Sequence, residues 1–152
     1  MAFDQPSLKG RALRLLGQRE HSRLELERKL RPHEVESGEL ARALDDLQAK
    51  GFINEQRVLE SVVHRRAPRL GAMRVRQELQ AKGLAPEAVA QAVAGLKGSE
   101  VERAREIWRK KFGVPAKDPQ SRTKQMRFLA SRGFGGETIQ RVVKGRDGDS
   151  DD

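Results

Sequence analysis

The stretch GAMRVRQELQAKGLAPEAVAQAV, residues 71–93, decides how the chain is read. Its first nine residues have counterparts in SRLELERKL (22–30) and SRTKQMRFL (121–129), at offsets of 49 and 50 positions. Each copy opens with a small residue suited to a helix cap and ends in Leu eight positions later, at Leu30, Leu79 and Leu129. Downstream, LQAKGLAPEAVAQAV from Leu79 aligns with LASRGFGGETIQRVV from Leu129, again 50 apart. A recurrence of this length marks a structural unit written several times. A second LQAKG, at 47–51, lies 32 residues before the copy at 79–83. That spacing is not the period, because the two copies end different helices of the unit. What they share is a way to stop a helix: a basic last turn, then Gly in the left-handed conformation.

The apolar spacing predicts nine helices. Leu8, Ala12, Leu15 and Leu16 mark the first, and Ser22 with Glu25 forms a capping box for the second, which carries Leu26 and Leu30. Leu40, Ala43, Leu44 and Leu47 mark the third, stopped at Gly51. Asn54 caps a fourth with Leu59, Val62 and Val63. Gly71 opens a fifth, closed at Gly83, and Pro86 sits in the first turn of a sixth with Val89 and Val93 inward. Ser99 and Glu102 read as a capping box for a seventh, striped by Val101, Ala104, Ile107, Trp108 and Phe112. Asp118-Pro119 starts an eighth through Met126 and Leu129, closed at Gly133, and Ile139, Val142 and Val143 make a short ninth. No segment sustains the alternation of a strand. The expected fold is all-α: three tandem three-helix modules of about 50 residues, stacked into an elongated, curved helical-repeat protein. The expected boundaries are 1–51, 52–98 and 99–145, with 146–152 a disordered acidic tail.

Composition fits thin modules better than one thick core. Only 36% of the 152 residues are hydrophobic and 35% are charged, so narrow helical seams are what the apolar supply can fill. No 18-residue apolar run exists, so no membrane span is expected, and without cysteine there is no disulfide or thiolate chemistry. A cytoplasmic monomer is the expectation. The net charge of +9 is graded along the chain. Lys+Arg against Asp+Glu runs 10 to 9 over residues 1–51, 8 to 4 over 52–98 and 12 to 5 over 99–145, then 1 to 4 over 146–152. Such a gradient points to a polyanionic partner for the last two modules.

In order along the chain, REHSRLELERKL (19–30), KGFINEQRVLE (50–60), RLGAMRVRQELQAKGL (69–84) and RFLASRGFGGETIQ (127–140) resemble the bacterial RecX family of recombination regulators. The resemblance spans roughly residues 8–144; the tail GRDGDSDD is not part of the pattern. It implies a three-module helical protein that binds the RecA recombinase filament on single-stranded DNA. It further implies inhibition of RecA ATPase, strand exchange and filament growth, within DNA repair and the SOS response. No catalytic residue and no cofactor are carried over.

The densest basic run, HRRAPRLGAMRVR, supplies Arg65, Arg66, Arg69, Arg74 and Arg76 around a helix–helix corner. Guanidinium groups there can pair bidentately with carboxylates or phosphates. The alternative is a solvated corner with Arg74 paired to Glu78. Arg105, Arg109 and Lys110 on the seventh helix, and Arg122, Lys124 and Arg127 on the eighth, complete the candidates for filament or nucleic-acid contact. Trp108 lies in an apolar stripe and reads as core rather than as a base-stacking platform. Phenylalanines stand only at helix exits or core-like positions, unlike a dedicated single-strand binder. His21, His33 and His64 lack a partner at metal spacing, and His21 beside Ser22 reads as a turn residue. GFGG at 133–136 lacks the Lys-Ser/Thr of a phosphate loop. The chain is therefore read as no enzyme and as holding no metal. The rival reading is a helix-turn-helix-like protein acting directly on single- or double-stranded DNA. Three unequal modules in one chain, without two-fold half-sites, weigh against it. Small-angle scattering should give a radius of gyration well above the roughly 15 Å of a compact domain of this length; a value near 15 Å would contradict the stacked array.

Overall fold

Three helix exits set the repeat. Gly51, Gly83 and Gly133 have φ of +85°, +74° and +94°, the left-handed conformation that ends a helix. In each, the amide of the next residue reaches back to a leucine carbonyl: Phe52 to Leu47 at 2.9 Å, Leu84 to Leu79 at 3.4 Å and Phe134 to Leu129 at 3.3 Å. Leu-x-x-x-Gly followed by Phe or Leu is thus one device, with the apolar residue after Gly folding back beside the leucine.

The computed structural model describes residues 5–144, and the acidic tail lies outside them. Among the described residues there are nine α-helices: α1 (Leu8–Gln18), α2 (Arg23–Leu30), α3 (Glu39–Ala49), α4 (Glu55–Arg66), α5 (Ala72–Ala81), α6 (Pro86–Leu96), α7 (Glu100–Lys111), α8 (Pro119–Ser131) and α9 (Gly136–Val143). Short 3-10 turns follow α2 and α6. No strand occurs among the described residues. The helices gather round three separate cores. The first joins Leu8, Ala12, Leu26, Leu30, Leu40, Leu44 and Leu47 and reaches to Ile53 on the connector to α4. The second is built on Val58, Val62, Val75, Leu79, Leu84, Val89 and Val93. The third joins Ala104, Leu129, Phe134, Ile139, Val142 and Val143.

The repeat register survives in space. Leu26, Val75 and Gln125 occupy equivalent positions and all are buried, as are Leu30, Leu79 and Leu129. The polar member is the exception that carries a consequence. Gln125, 5% exposed, accepts from Trp108 Nε1 at 2.9 Å and donates to the Val114 carbonyl at 3.1 Å. It ties α7 and the loop after Phe112 to α8, so its burial is satisfied. Trp108 is accordingly a half-buried packing residue.

Two caps differ from expectation. Ser99 makes no side-chain cap; it lies in the 3-10 turn, its hydroxyl donating to the Leu96 carbonyl and accepting from Arg103 Nε. That hydroxyl is thereby occupied, and Glu102 is left exposed. Ser121, placed at a cap by the repeat register, is not one either: α8 starts at Asp118-Pro119, as read from that pair, and Asp118 accepts from the Ser121 amide at 2.7 Å. The capping box at Ser22–Glu25 and the cap at Asn54 form as read.

The modules meet their neighbours in different ways. Between the first two, the Leu24 side chain packs against Gly83 and side-chain carboxylates make polar contacts: Arg57 Nε to Glu20 at 2.9 Å, Lys82 Nζ to Glu25 at 3.1 Å, and the Arg23 amide to Glu55 at 3.1 Å. Between the last two, backbone meets backbone. The amides of Gly71 and Met73, at the start of α5, donate to the carbonyls of Arg132 and Gly133, just past the end of α8, at 2.7 and 3.2 Å. The unpaired donors of one helix start thereby satisfy the unpaired acceptors of a helix end. A methyl group on Gly71 would fall on the Gly133 carbonyl and 2.6 Å from the Phe134 nitrogen, so no side chain fits. Gly71→Ala should therefore destabilise by about 1–3 kcal/mol in urea unfolding. Gly95→Ala, on α6 with open space around it, should be neutral or stabilising by up to about 1 kcal/mol. Equal effects would show that the junction is not tightly closed.

Candidate binding surface

The basic side chains named from sequence separate into fixed and free. Arg66 lies beside Glu78, Nε to Oε1 at 2.9 Å, an ion pair whose N–H makes no aligned hydrogen bond. Glu78 is thus taken by Arg66, and the alternative pairing with Arg74 does not form. Arg74 instead crosses to module three, its Nη1 donating to the Ser131 carbonyl at 2.6 Å. Arg109 and Lys110 both approach Glu106, at 2.7 and 3.8 Å. The Arg109 pair holds the Glu106 carboxyl below its ordinary range. Arg105 is half-buried. Arg65, Arg69, Arg76, Arg122, Lys124 and Arg127 are exposed, and none forms an ion pair among the described residues. The first three stand at the α4–α5 corner. The others stand on α8, where Lys124 and Arg127 line a broad open depression with Gln120, Ser121 and Thr123.

Sequence reasoning passed over Arg103, the cation that binds the junction. Its Nη1 donates to the carbonyls of Ala67 and Leu70 at 2.8 and 2.7 Å, and its Nη2 pairs with Glu100 at 2.7 Å. Its guanidinium also sits 6.0 Å from the centre of the Phe134 ring. The α4–α5 corner that carries Arg65 and Arg69 is thus held from below by α7. No periodicity in the sequence pairs Arg103 with carbonyls 33 and 36 residues away.

The aromatic rings are largely engaged. Phe128 meets Phe112 edge-on at 5.5 Å and is flanked by Lys111 and Arg132 at 5.3 and 4.7 Å from its centre. Phe52 stands at the helix exit after Gly51 and is 47% exposed. His21 lies in the turn before the Ser22 cap, as read, and is buried there, 1% exposed. Its Nδ1–H donates to the Arg19 carbonyl at 3.0 Å, leaving Nε2 as acceptor 3.4 Å from Lys29 Nζ. Burial lowers its pKa, opposed by the Arg19 carbonyl.

At the joint of modules one and two, Glu25 gathers Arg19 at 2.8 Å, Lys82 at 3.1 Å and the Ser22 amide at 2.9 Å. Burial pushes this carboxyl up, but the Arg19, Ser22 and Lys82 bonds outweigh it and bring the pKa from 4.5 down to about 2. Arg23 is equally committed, to Glu27, Asp45 and Gln48. Reversing its charge would therefore disturb folding.

Three stacked three-helix units, with free cations on the α4–α5 corner and on α8, define a tandem helical-module protein. Family models for the first, second and third three-helix domains of RecX match residues 9–47, 54–93 and 99–143. The regulatory protein RecX of Leptothrix cholodnii is 49% identical over 153 residues, covering 99% of this chain and 98% of that one. That of Herminiimonas arsenicoxydans is 46% identical, covering 99% and 100%. A crystal structure of RecX from Lactobacillus salivarius superposes with a TM-score of 0.74 at 19% identity, over 90% of this chain and 92% of that one. The chain belongs to the RecX family of regulatory proteins.

The Glu25 pKa fixes a pH response. A depressed carboxyl stabilises fully above its unfolded value and loses that contribution as pH falls through the folded value. Stability should therefore drop between about pH 4.5 and 2, by on the order of 2 kcal/mol from this residue. Glu25→Gln should remove that part of the acid dependence and cost stability at pH 7, as followed by urea unfolding at each pH. An unchanged acid slope would mean that the cluster does not couple the modules.

Proposed function

We propose that the protein binds the RecA filament on single-stranded DNA and restrains it, inhibiting ATP hydrolysis, strand exchange and filament growth, as a non-enzymatic cytoplasmic monomer. The observation that carries this reading is the set of exposed cations without carboxylate partners in modules two and three. It is joined to membership of a family of regulatory proteins. A filament on single-stranded DNA repeats protein surface and phosphate at regular intervals, and an array of small modules can follow it subunit by subunit. The backbone junction between modules two and three holds both groups of cations on one framework. Because the two modules are already fixed to each other, their relative placement need not be ordered on binding, which favours an extended contact. The same cations can reach DNA directly, as an accessory to filament binding.

The test is a RecA ATPase assay on single-stranded DNA with the protein titrated in. Arg65→Glu with Arg69→Glu, and separately Arg122→Glu with Lys124→Glu, should each weaken inhibition by about 1–3 kcal/mol, and added salt should weaken the parent protein too. Arg42→Glu, on an exposed module-one residue without an ion pair among the described residues, should do less. Loss only with Arg42→Glu, or inhibition immune to all three changes, would reject the basic surfaces of modules two and three as the determinant.

A further inference from the structure

Module one carries almost no net charge, yet its charges are segregated. Lys9, Arg19, Arg23, Arg31 and Lys50 are paired with carboxylates. Arg11, Arg14, Lys29 and His33 form no ion pair among the described residues. These four line one depression of about 220 Å³ between α1 and α2, whose apolar wall is Leu15 and Leu30. Arg11 makes only a 3.4 Å bond to Gln5, and Lys29 only its 3.4 Å approach to His21. Glu20, Glu25, Glu27, Glu34, Asp45 and Asp46 pair with other cations, so this mouth is cationic although the module sums to +1.

From this arrangement we infer that module one holds a second binding site, which takes an acidic peptide segment of a partner protein with one apolar side chain seated between its carboxylates. The size of the depression supports a single side chain, since small-molecule sites run to about 300–1,000 Å³. The wall supports an apolar one, because the half-buried Leu15 keeps open surface on it, whereas Leu30 is already covered by the module core. A nucleic-acid backbone brings phosphate and sugar but no apolar side chain to set against Leu15. The chain's own GRDGDSDD brings four carboxylates and no apolar side chain. Two arginines can each grip a carboxylate with two parallel bonds, which sets the direction of the peptide.

The probe is the blocked peptide Asp-Asp-Phe-Asp-Asp, titrated into isotope-labelled full-length protein and followed by amide chemical shifts. Saturable shifts should centre on residues 11–16 and 29–33. Asp-Asp-Ala-Asp-Asp should bind about fivefold more weakly, and Arg14→Glu should weaken the Phe peptide about tenfold. The amide spectrum of that variant reports whether it is folded, and His33→Gln, on another exposed residue, should give a smaller loss. Four results would each overturn the inference: no shifts, shifts centred on α4–α5 or α8, equal affinity for the Ala peptide, or undiminished binding by folded Arg14→Glu. Stronger shifts of the same amides by a single-stranded oligonucleotide of matched charge would replace the peptide with a phosphate backbone, and so overturn it as well.

Discussion

The organisation of the last two thirds of the molecule depends on a helix end meeting a helix start. Every α-helix leaves unpaired amides at its beginning and unpaired carbonyls at its end, and burying either without a partner is costly. Here the start of α5 and the end of α8 cancel each other directly, Gly71 to Arg132 and Met73 to Gly133. The contact is possible only because both chains are bare at that point. Arg103 then fills the remaining acceptors, the Ala67 and Leu70 carbonyls, so the corner before α5 is closed from both sides. The joint between modules one and two has no such core. Its polar contacts include the ion pairs of Glu25 with Lys82 and Glu20 with Arg57, which respond to pH and salt where backbone pairing does not, and Glu55 accepting from the Arg23 amide.

Most of the fold was legible because the modules are built from local signals. Caps at Ser22, Asn54 and Asp118 and left-handed exits at Gly51, Gly83 and Gly133 each need only a few neighbouring residues, and apolar spacing supplies the rest. What failed to show was non-local or out of pattern. Gln125 sits in a core position where Val75 and Leu26 sit in the other modules, and its partners Trp108 and Val114 are 17 and 11 residues away. Ser99 followed a sound local rule and lost to Arg103, which claims its hydroxyl.

The candidate surface was legible as composition but not as geometry. Counting charge by module found the basic gradient, yet could not tell that Arg74 and Arg66 are structural while Arg65 and Arg69 are free. The same sum hid module one, where cations and carboxylates cancel on paper and not in space. Free charge, rather than net charge, is what a partner meets, and it depends on which carboxylate each cation can reach.

The α5–α8 junction also imposes an order on synthesis. The first core closes with Ile53, so it can consolidate while the rest of the chain is still being made. Module two cannot finish in the same way, because the acceptors for Gly71 lie at Arg132, 61 residues later. At about 5–20 residues per second, the growing chain carries the start of α5 hydrated and unmatched for roughly 3–12 s before α8 emerges to receive it.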